Sequence, residues 1–376
     1  MTGHFSDLMT STPSEAPLRK PASRARIFLP AIALAVLAAL YSVYWYVMAG
    51  KTREFLETFA TEHQSGNVAI NWGGLAISGY PYRIEANFAA LAVSAPNAPE
   101  DWSWSAQSLD ADFLPYSLNH VVLKVGGEQM LQYRDATKEG GKRHTVRVTA
   151  EGTWASYVNL KDAPFGRLAI DINNLVALKD GTAPSTDQRF AAGRLQFHTR
   201  PAEPAKGSPA ADVSYDVAIQ GNDMALDNSD APRVLGPRID IIAAQARIRN
   251  LPRTTNASPI EFGRAWATGG GVVTISDLQI KWGPLDLWAQ GELSLDAEAR
   301  PQGRLEASVA DYAGLLKALV KNKVISAKDE RIATVGLGIV AELQGDQAGR
   351  VRVPVTITEG KIFLGPVLVA KLEPLF

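Results

Sequence analysis

Apolar and polar residues alternate along most of this chain. The early runs are Val68-Ile70-Trp72, Tyr82-Ile84-Ala86-Phe88, Val121-Leu123-Val125, Val146-Val148-Ala150 and Leu168-Ile170-Ile172. The later ones are Val213-Tyr215-Val217-Ile219, Ile239-Ile241, Val273-Ile275, Leu278-Ile280-Trp282, Leu293-Leu295, Leu305-Ala307-Val309 and Val351-Val353-Val355-Ile357. A period of two puts successive side chains on opposite faces of a strand. The pattern therefore predicts a mainly β protein, an extended, curved, mostly antiparallel sheet with one apolar and one polar face. Helical segments are too few for a doubly wound α/β sheet.

Two regions break the alternation. Ile27 to Gly50 carries no charged residue. At about 1.5 Å per residue it is long enough as a helix to cross a hydrocarbon core of about 30 Å. Arg19, Lys20, Arg24 and Arg26 precede it, and Tyr44, Trp45 and Tyr46 crowd its far end like an interfacial aromatic belt. The expected order is a disordered cytoplasmic tail (1–26), a transmembrane helix (27–50) and an amphipathic juxtamembrane helix (51–65). A β-rich periplasmic body (66–376) follows. In the juxtamembrane helix Phe55, Leu56 and Phe59 share a face. A cleaved signal peptide is the rival reading, with Val47-Met48-Ala49 as its small-residue site. The aromatic richness and length of the run favour the anchor.

The second break is a helical insert over about 311–343. Asp311 stands where it can cap the segment through Lys323, and Ser326 with Asp329 forms a capping-box pattern. Loops rich in Gly, Pro and polar residues fall at 138–143, 179–188, 200–212 and 251–260. The third is a candidate lobe boundary. A short theme also recurs: a bulky apolar residue, then Gly with Gly or Pro, then renewed alternation. It is carried by Gly73 and Gly74, Gly236 and Pro237, Gly283 and Pro284, and Gly365 and Pro366. Its unequal spacing excludes a fixed-period solenoid and points to recurring hairpin turns.

Composition changes this picture by exclusion. The chain has 376 residues and a net charge of −1, with no basic excess for nucleic acid. Cysteine is absent, which excludes disulfides, thiol nucleophiles and thiolate metal sites. The five histidines lack the close spacing of a metal-ligand pair, so no metal or cofactor is expected. Gly336-Leu337-Gly338-Ile339-Val340-Ala341 matches a dinucleotide fingerprint in letters only, because a helix rather than a strand is predicted before it. The acidic stretch of Asp223, Asp227 and Asp230 lacks the spacing of a calcium loop. Asp110 and Asp112 read as the wet face of a strand rather than as acid–base catalysts.

One element joins glycine and proline to aromatics: Gly79, Tyr80, Pro81, Tyr82 and Arg83. Proline is tolerated at a strand entry, so a structural corner is expected, with ligand contact as the alternative. This element, the Trp282-Gly283-Pro284-x-x-Leu287 element and Arg300-Pro301-x-Gly303 together resemble the domain-of-unknown-function 2125 family of Gram-negative envelope proteins. The resemblance spans nearly the whole exported part and implies location and architecture rather than an activity. More loosely, the chain is similar to AsmA-type envelope proteins, which pair an anchor with long sheets that curl into apolar grooves. The expectation is a non-enzymatic inner-membrane protein whose sheet contacts lipid or another acyl-bearing molecule. The alternative is an envelope scaffold that binds proteins along exposed strand edges.

Overall fold

The computed structural model describes residues 25–63, 68–98, 100–135, 141–161, 163–180, 188–203, 213–227, 235–253, 259–343, 350–365 and 367–375. Two units are distinguished, one ending at Met48 and one starting at Ala49. A single helix, α1 (Ala25–His63), supplies the described part of the first unit and opens the second. Its stretch from Phe28 is long and apolar enough to cross a membrane, by length and composition. Phe28, Leu29, Leu34 and Leu37 are exposed on it.

The second unit is a very large antiparallel sheet. Strands β1 (Ala69–Asn71) and β2 (Gly74–Ser78) both pair with one edge of β3 (Ile84–Ala95) in a single continuous register, from Ala69 opposite Ser94 to Ser78 opposite Glu85. They are one edge strand interrupted at Trp72-Gly73. β3 pairs with β4 (Trp102–Leu114), and β4 pairs with the long β5 (Ser117–Arg134). The free edge of β5 is covered in line by β6 (Arg143–Thr149) and β7 (Gly152–Val158), which both then pair with β8 (Arg167–Lys179).

From there the chain is an up-and-down meander. β9 (Gln188–Pro201), β10 (Tyr215–Asp227) and β11 (Arg238–Arg249) follow in order. After helix α2 (Pro259–Thr268) come β12 (Val272–Trp282), β13 (Leu285–Leu295) and β14 (Pro301–Ala310). Helices α3 (Tyr312–Lys321) and α4 (Ala327–Leu343) precede β15 (Arg350–Thr358), β16 (Lys361–Leu364) and β17 (Val367–Lys371). The pairing of β9 with β10 runs straight across the proposed lobe boundary, joining Pro201 to Tyr215, while 204–212 lie outside the described residues.

The caps that open α3 and α4 are side-chain devices. Gly314 N donates to the Asp311 carboxylate at 3.1 Å. Asp329 N donates to Ser326 Oγ at 3.1 Å, and Ser326 Oγ donates back to the Asp329 carboxylate at 2.6 Å. Both satisfy donors that the first helical turn leaves free. Leu315, Leu316 and Leu319 of α3, with Ala333 and Leu337 of α4, then pack on Leu305, Ala307, Val309, Val351, Val353 and Val355. This is the main core. A second cluster of Ala86, Phe88, Leu91 and Ala111 packs against Leu56 of α1. Phe55 is 65% exposed, so Leu56 faces the sheet and its neighbour does not.

Candidate functional site

Residues directly opposite on neighbouring strands share a face. Followed strand by strand, the register joins Ile77, Ala86, Ala111, Leu123, Ala155, Ile170, Phe197, Ile219, Ala244, Leu278, Ala289, Ala307 and Val353 into one unbroken apolar row. A flanking row runs from Leu75 and Phe88 through Ile172 and Leu195 to Val309 and Val351, interrupted by Thr153 and Gly221 alone. Apolar side chains thus form a track across the strands, perpendicular to their length.

The track is unevenly covered. Near its start, Leu56 of α1 lies against it, and Ala86 is fully buried. At its far end α3 and α4 bury Ala289 and Ala307. Between them, Ile219 is 42% exposed and Tyr157, in the parallel row through Leu168, is 37% exposed. Among the described residues, the central cluster of Ala192, Met224 and Ile239 packs against strand residues, Trp282 included. Phe262 of α2 meets Phe165, which meets Tyr215.

A small apolar slot of about 350 Å³ opens at the covered end, between α4 and β15. Leu316, Ala333, Gly336, Leu337, Val353 and Pro354 line it. A side chain at Gly336 would meet nothing within 4 Å, and Ile332, Val335 and Ile339 leave a second apolar stripe of α4 exposed. The dinucleotide-like letters thus lie inside a helix, with no strand-to-helix turn at their glycines.

The opposite face is polar and cross-linked. Arg194 binds Asp171 at 2.5 Å, Arg247 binds Asp216 at 2.8 Å and Arg249 binds Glu292 at 2.7 Å. A hollow of about 930 Å³ lies on this face, lined by Arg167, His198, Arg200, Asp216, Arg247 and Glu292 among others. Its carboxylates are already bound by its own arginines. Among the described residues, no three His, Asp or Glu side chains stand together as a metal site.

The corner of Gly79 to Arg83 is the turn between β2 and β3. Tyr82 N and Arg83 N both donate to Gly79 O at 3.1 Å, and the Tyr80–Pro81 peptide is cis. Gly79 has φ +99°, and a side chain there would stand 2.7 Å from Arg83 O. The strand begins at Ile84, so Tyr82 sits in the turn, 83% exposed, rather than on the apolar face where alternation alone puts it. Arg83 reaches Glu85 at 2.8 Å and Asp112 at 3.2 Å. Asn87 donates to Glu85 and Asp110, both at 2.9 Å. One wet-face network therefore unites Asp110 and Asp112 with Arg83, Glu85 and Asn87. The Arg83 hydrogen bond, then that of Asn87, holds the Glu85 carboxyl below its usual range. Burial pushes Asp112 up despite Arg83. Three carboxylates thus share one arginine, with Lys124 opposite Asp110 in the register.

The recurring Gly/Pro positions fall in different settings. Gly283 and Pro284 form the β12–β13 turn, and Gly365 closes β16 before Pro366, which lies outside the described residues. Gly236 and Pro237 lead into β11, and Trp282 Nε1 donates to Gly236 O at 2.7 Å. Two copies of the theme are thus side by side, a contact that no local pattern announces. Gly73 and Gly74 are not a hairpin turn: Gly73 N donates to Ala89 O at 2.8 Å, so the ladder continues through them. Of the belt residues, Tyr44, Trp45 and Tyr46 lie on α1, with Trp45 and Tyr46 edge to face at 5.2 Å. Arg24 and the side chain of Arg26 are outside the described residues.

The family model described as "Uncharacterized protein conserved in bacteria (DUF2125)" matches residues 45–373. The chain belongs to that family. No curated protein and no solved structure matches it. The likeness to AsmA-type proteins therefore rests on strand texture alone.

Proposed function

We propose that this member of the DUF2125 family is a non-enzymatic, single-pass inner-membrane protein. Its N-terminus is cytoplasmic and its sheet is periplasmic, where it holds or passes acyl-bearing envelope molecules along the apolar track. The basic residues before the apolar helix and the aromatics after it support the orientation. One observation carries the lipid reading. The main apolar row continues without a break through a middle that, among the described residues, no helix covers, and Ile219 there is 42% exposed. A continuous apolar surface left in water is costly unless something covers it. A packed β-sandwich would have closed it with a second layer.

The test is native mass spectrometry of the full chain extracted from its own membranes in mild detergent. The reading expects co-purifying lipid that diminishes several-fold in Ile219→Asp while the fold persists. A protein that carries no lipid, or whose lipid load ignores Ile219→Asp, defeats it. A second reading, an envelope scaffold that recruits protein strands, is favoured by the edges. Among the described residues β1–β2 pairs only with β3, and β17 only with β16, so each offers one backbone edge that no described strand pairs. Cross-linking in cells that traps proteins at β17 and no lipid at Ile219 would favour it.

A further inference from the structure

The hollow on the polar face is not balanced in charge. The guanidiniums of Arg167, Arg200, Arg247 and Arg249 line it against two carboxylates, those of Asp216 and Glu292. Asp216 is shared by Arg200 at 3.5 Å and Arg247 at 2.8 Å, and Arg249 takes Glu292. Arg167 has no ion-pair partner among the described residues. Just outside the lining, Glu203 acts on Arg247 and Arg304 stands opposite Glu292, one charge of each sign. The hollow therefore keeps a surplus of positive charge.

The register brings these groups together. Arg200 lies opposite Asp216, Asp216 opposite Arg247, and Arg247 opposite Thr274, so a charged wall crosses β9 to β12. Two residues along the strands, the same face carries Ala169, His198, Ala218 and Gln245. The short side chains of Ala169 and Ala218 leave room beside the long arginines. A smaller hollow of about 120 Å³ shares His198, Ala218 and Gln245 and adds Gln196, Gln220 and Asp277. Trp288 stands at its end, 37% exposed, with Nε1 donating to the Asp277 carboxylate.

Each part of this surface suits one kind of ligand. Guanidiniums bind the paired oxygens of phosphate or carboxylate. Amides and hydroxyls both donate and accept, as sugar hydroxyls do. An indole fixed through its N–H offers an apolar face to the C–H side of a sugar ring. The volume of about 930 Å³ is that of a small-molecule site. From Arg200 on β9 to Trp288 on β13 is four strand spacings, about 19 Å, the reach of a short oligosaccharide rather than of one sugar.

We propose that the polar face of the sheet is a binding site for an acidic oligosaccharide. Arg167 and Arg200 hold its phosphate or carboxylate group, Gln245 and Thr274 its hydroxyls, and Trp288 carries one of its rings. The site is on the face opposite the apolar track, so it stands or falls independently of the lipid reading.

The full chain is purified in a polyoxyethylene detergent, which adds neither sugar nor phosphate. Calorimetric titrations use tetragalacturonate, a phosphorylated maltotetraose, neutral maltotetraose and inorganic phosphate. At least one of the two acidic oligosaccharides should bind, with neutral maltotetraose and inorganic phosphate each about ten-fold weaker or worse. Arg167→Gln breaks no ion pair and should weaken the acidic oligosaccharide about ten-fold. Trp288→Ala should weaken it about five-fold and leave inorganic phosphate unchanged. Far-ultraviolet circular dichroism checks that both variants keep their strand content. Binding of neither acidic oligosaccharide overturns the proposal, and so does an affinity that ignores both substitutions. Inorganic phosphate binding as tightly would mean that the hollow reads charge alone, which also overturns it.

Discussion

The covered end of the sheet and its open middle are built from the same strand pattern and differ in what lies on them. Along one row, Ala289, Ala307 and Val353 are 0%, 2% and 5% exposed, whereas Ile219 is 42% exposed. The covering comes from α3 and α4, inserted between two paired strands, whose leucines fill the space over β14 and β15. Alternation decides which face is apolar. Whether that face becomes core or surface depends on a separate insert, and among the described residues of the middle no such insert occurs. A fold can thus keep one continuous apolar face while making part of it structural and leaving part available.

The contrast predicts its own largest effect. Leu316, 1% exposed, should lose about 2–5 kcal/mol on substitution by alanine, the usual range for a fully buried leucine. Ile219→Ala should cost less than about 1 kcal/mol, as surface changes do. Urea titrations of both variants decide it, and equal losses would mean the middle is as enclosed as the end. Next in size is Gly79→Val, which forces a β-branched residue into positive φ against Arg83 O and should cost about 1–3 kcal/mol. Arg83→Ala removes only half-exposed ion pairs and should stay within about 1 kcal/mol by the same titration.

Loss of a cap comes third. Asp311→Ala or Ser326→Ala should each cost about 1 kcal/mol. Hydrogen exchange should quicken in α3 and α4 and remain unchanged in β9 and β10, which sharpens the separation of cover from sheet. A uniform increase across the sheet would show that the two regions are one cooperative unit.

The smallest effect is a pair of opposed pH slopes. Glu85, held low by Arg83, stabilises the fold fully above about pH 4.5 and loses that contribution as pH falls toward its folded value. Asp112, pushed up by burial, does the reverse: the folded state holds its proton more tightly, so stability falls as pH rises from 3.8 through the raised value. Asp112→Asn should therefore steepen the acid loss, and Glu85→Gln should flatten it. Denaturation midpoints followed from about pH 3 to 6 give the comparison, and parallel profiles for both variants would contradict these assignments.

Much of this architecture was legible in the residues. The run Val213 to Ile219 names its own inner face, and Ser326 with Asp329 marks where a helix starts. Other features depend on partners that no local pattern names. Alternation does not say that Leu123 lies opposite Ala155, so the unbroken row emerges only from the register. Trp72-Gly73-Gly74 has the letters of a turn, yet the ladder runs through it. Tyr82 continues the alternation of Ile84 and Ala86, yet the turn closes before the strand begins. Phe55 and Leu56 both belong to an apolar helical face, and only the position of the sheet separates them. Ala90, Asn174 and Asp223 take a positive φ inside strands whose register is the same on either side of them, a kink that the letters do not announce.

The central claim is that the open middle of the apolar face holds acyl chains. Ile219 and Gln220 are exposed neighbours on β10 that point to opposite faces. A photoreactive amino acid placed at each position in the full chain, activated in intact cells and read by mass spectrometry, compares the two faces directly. Lipid adducts at 219 with few or none at 220 are the predicted result. Equal labelling of both positions, or adducts at 219 made only of protein, would contradict the account.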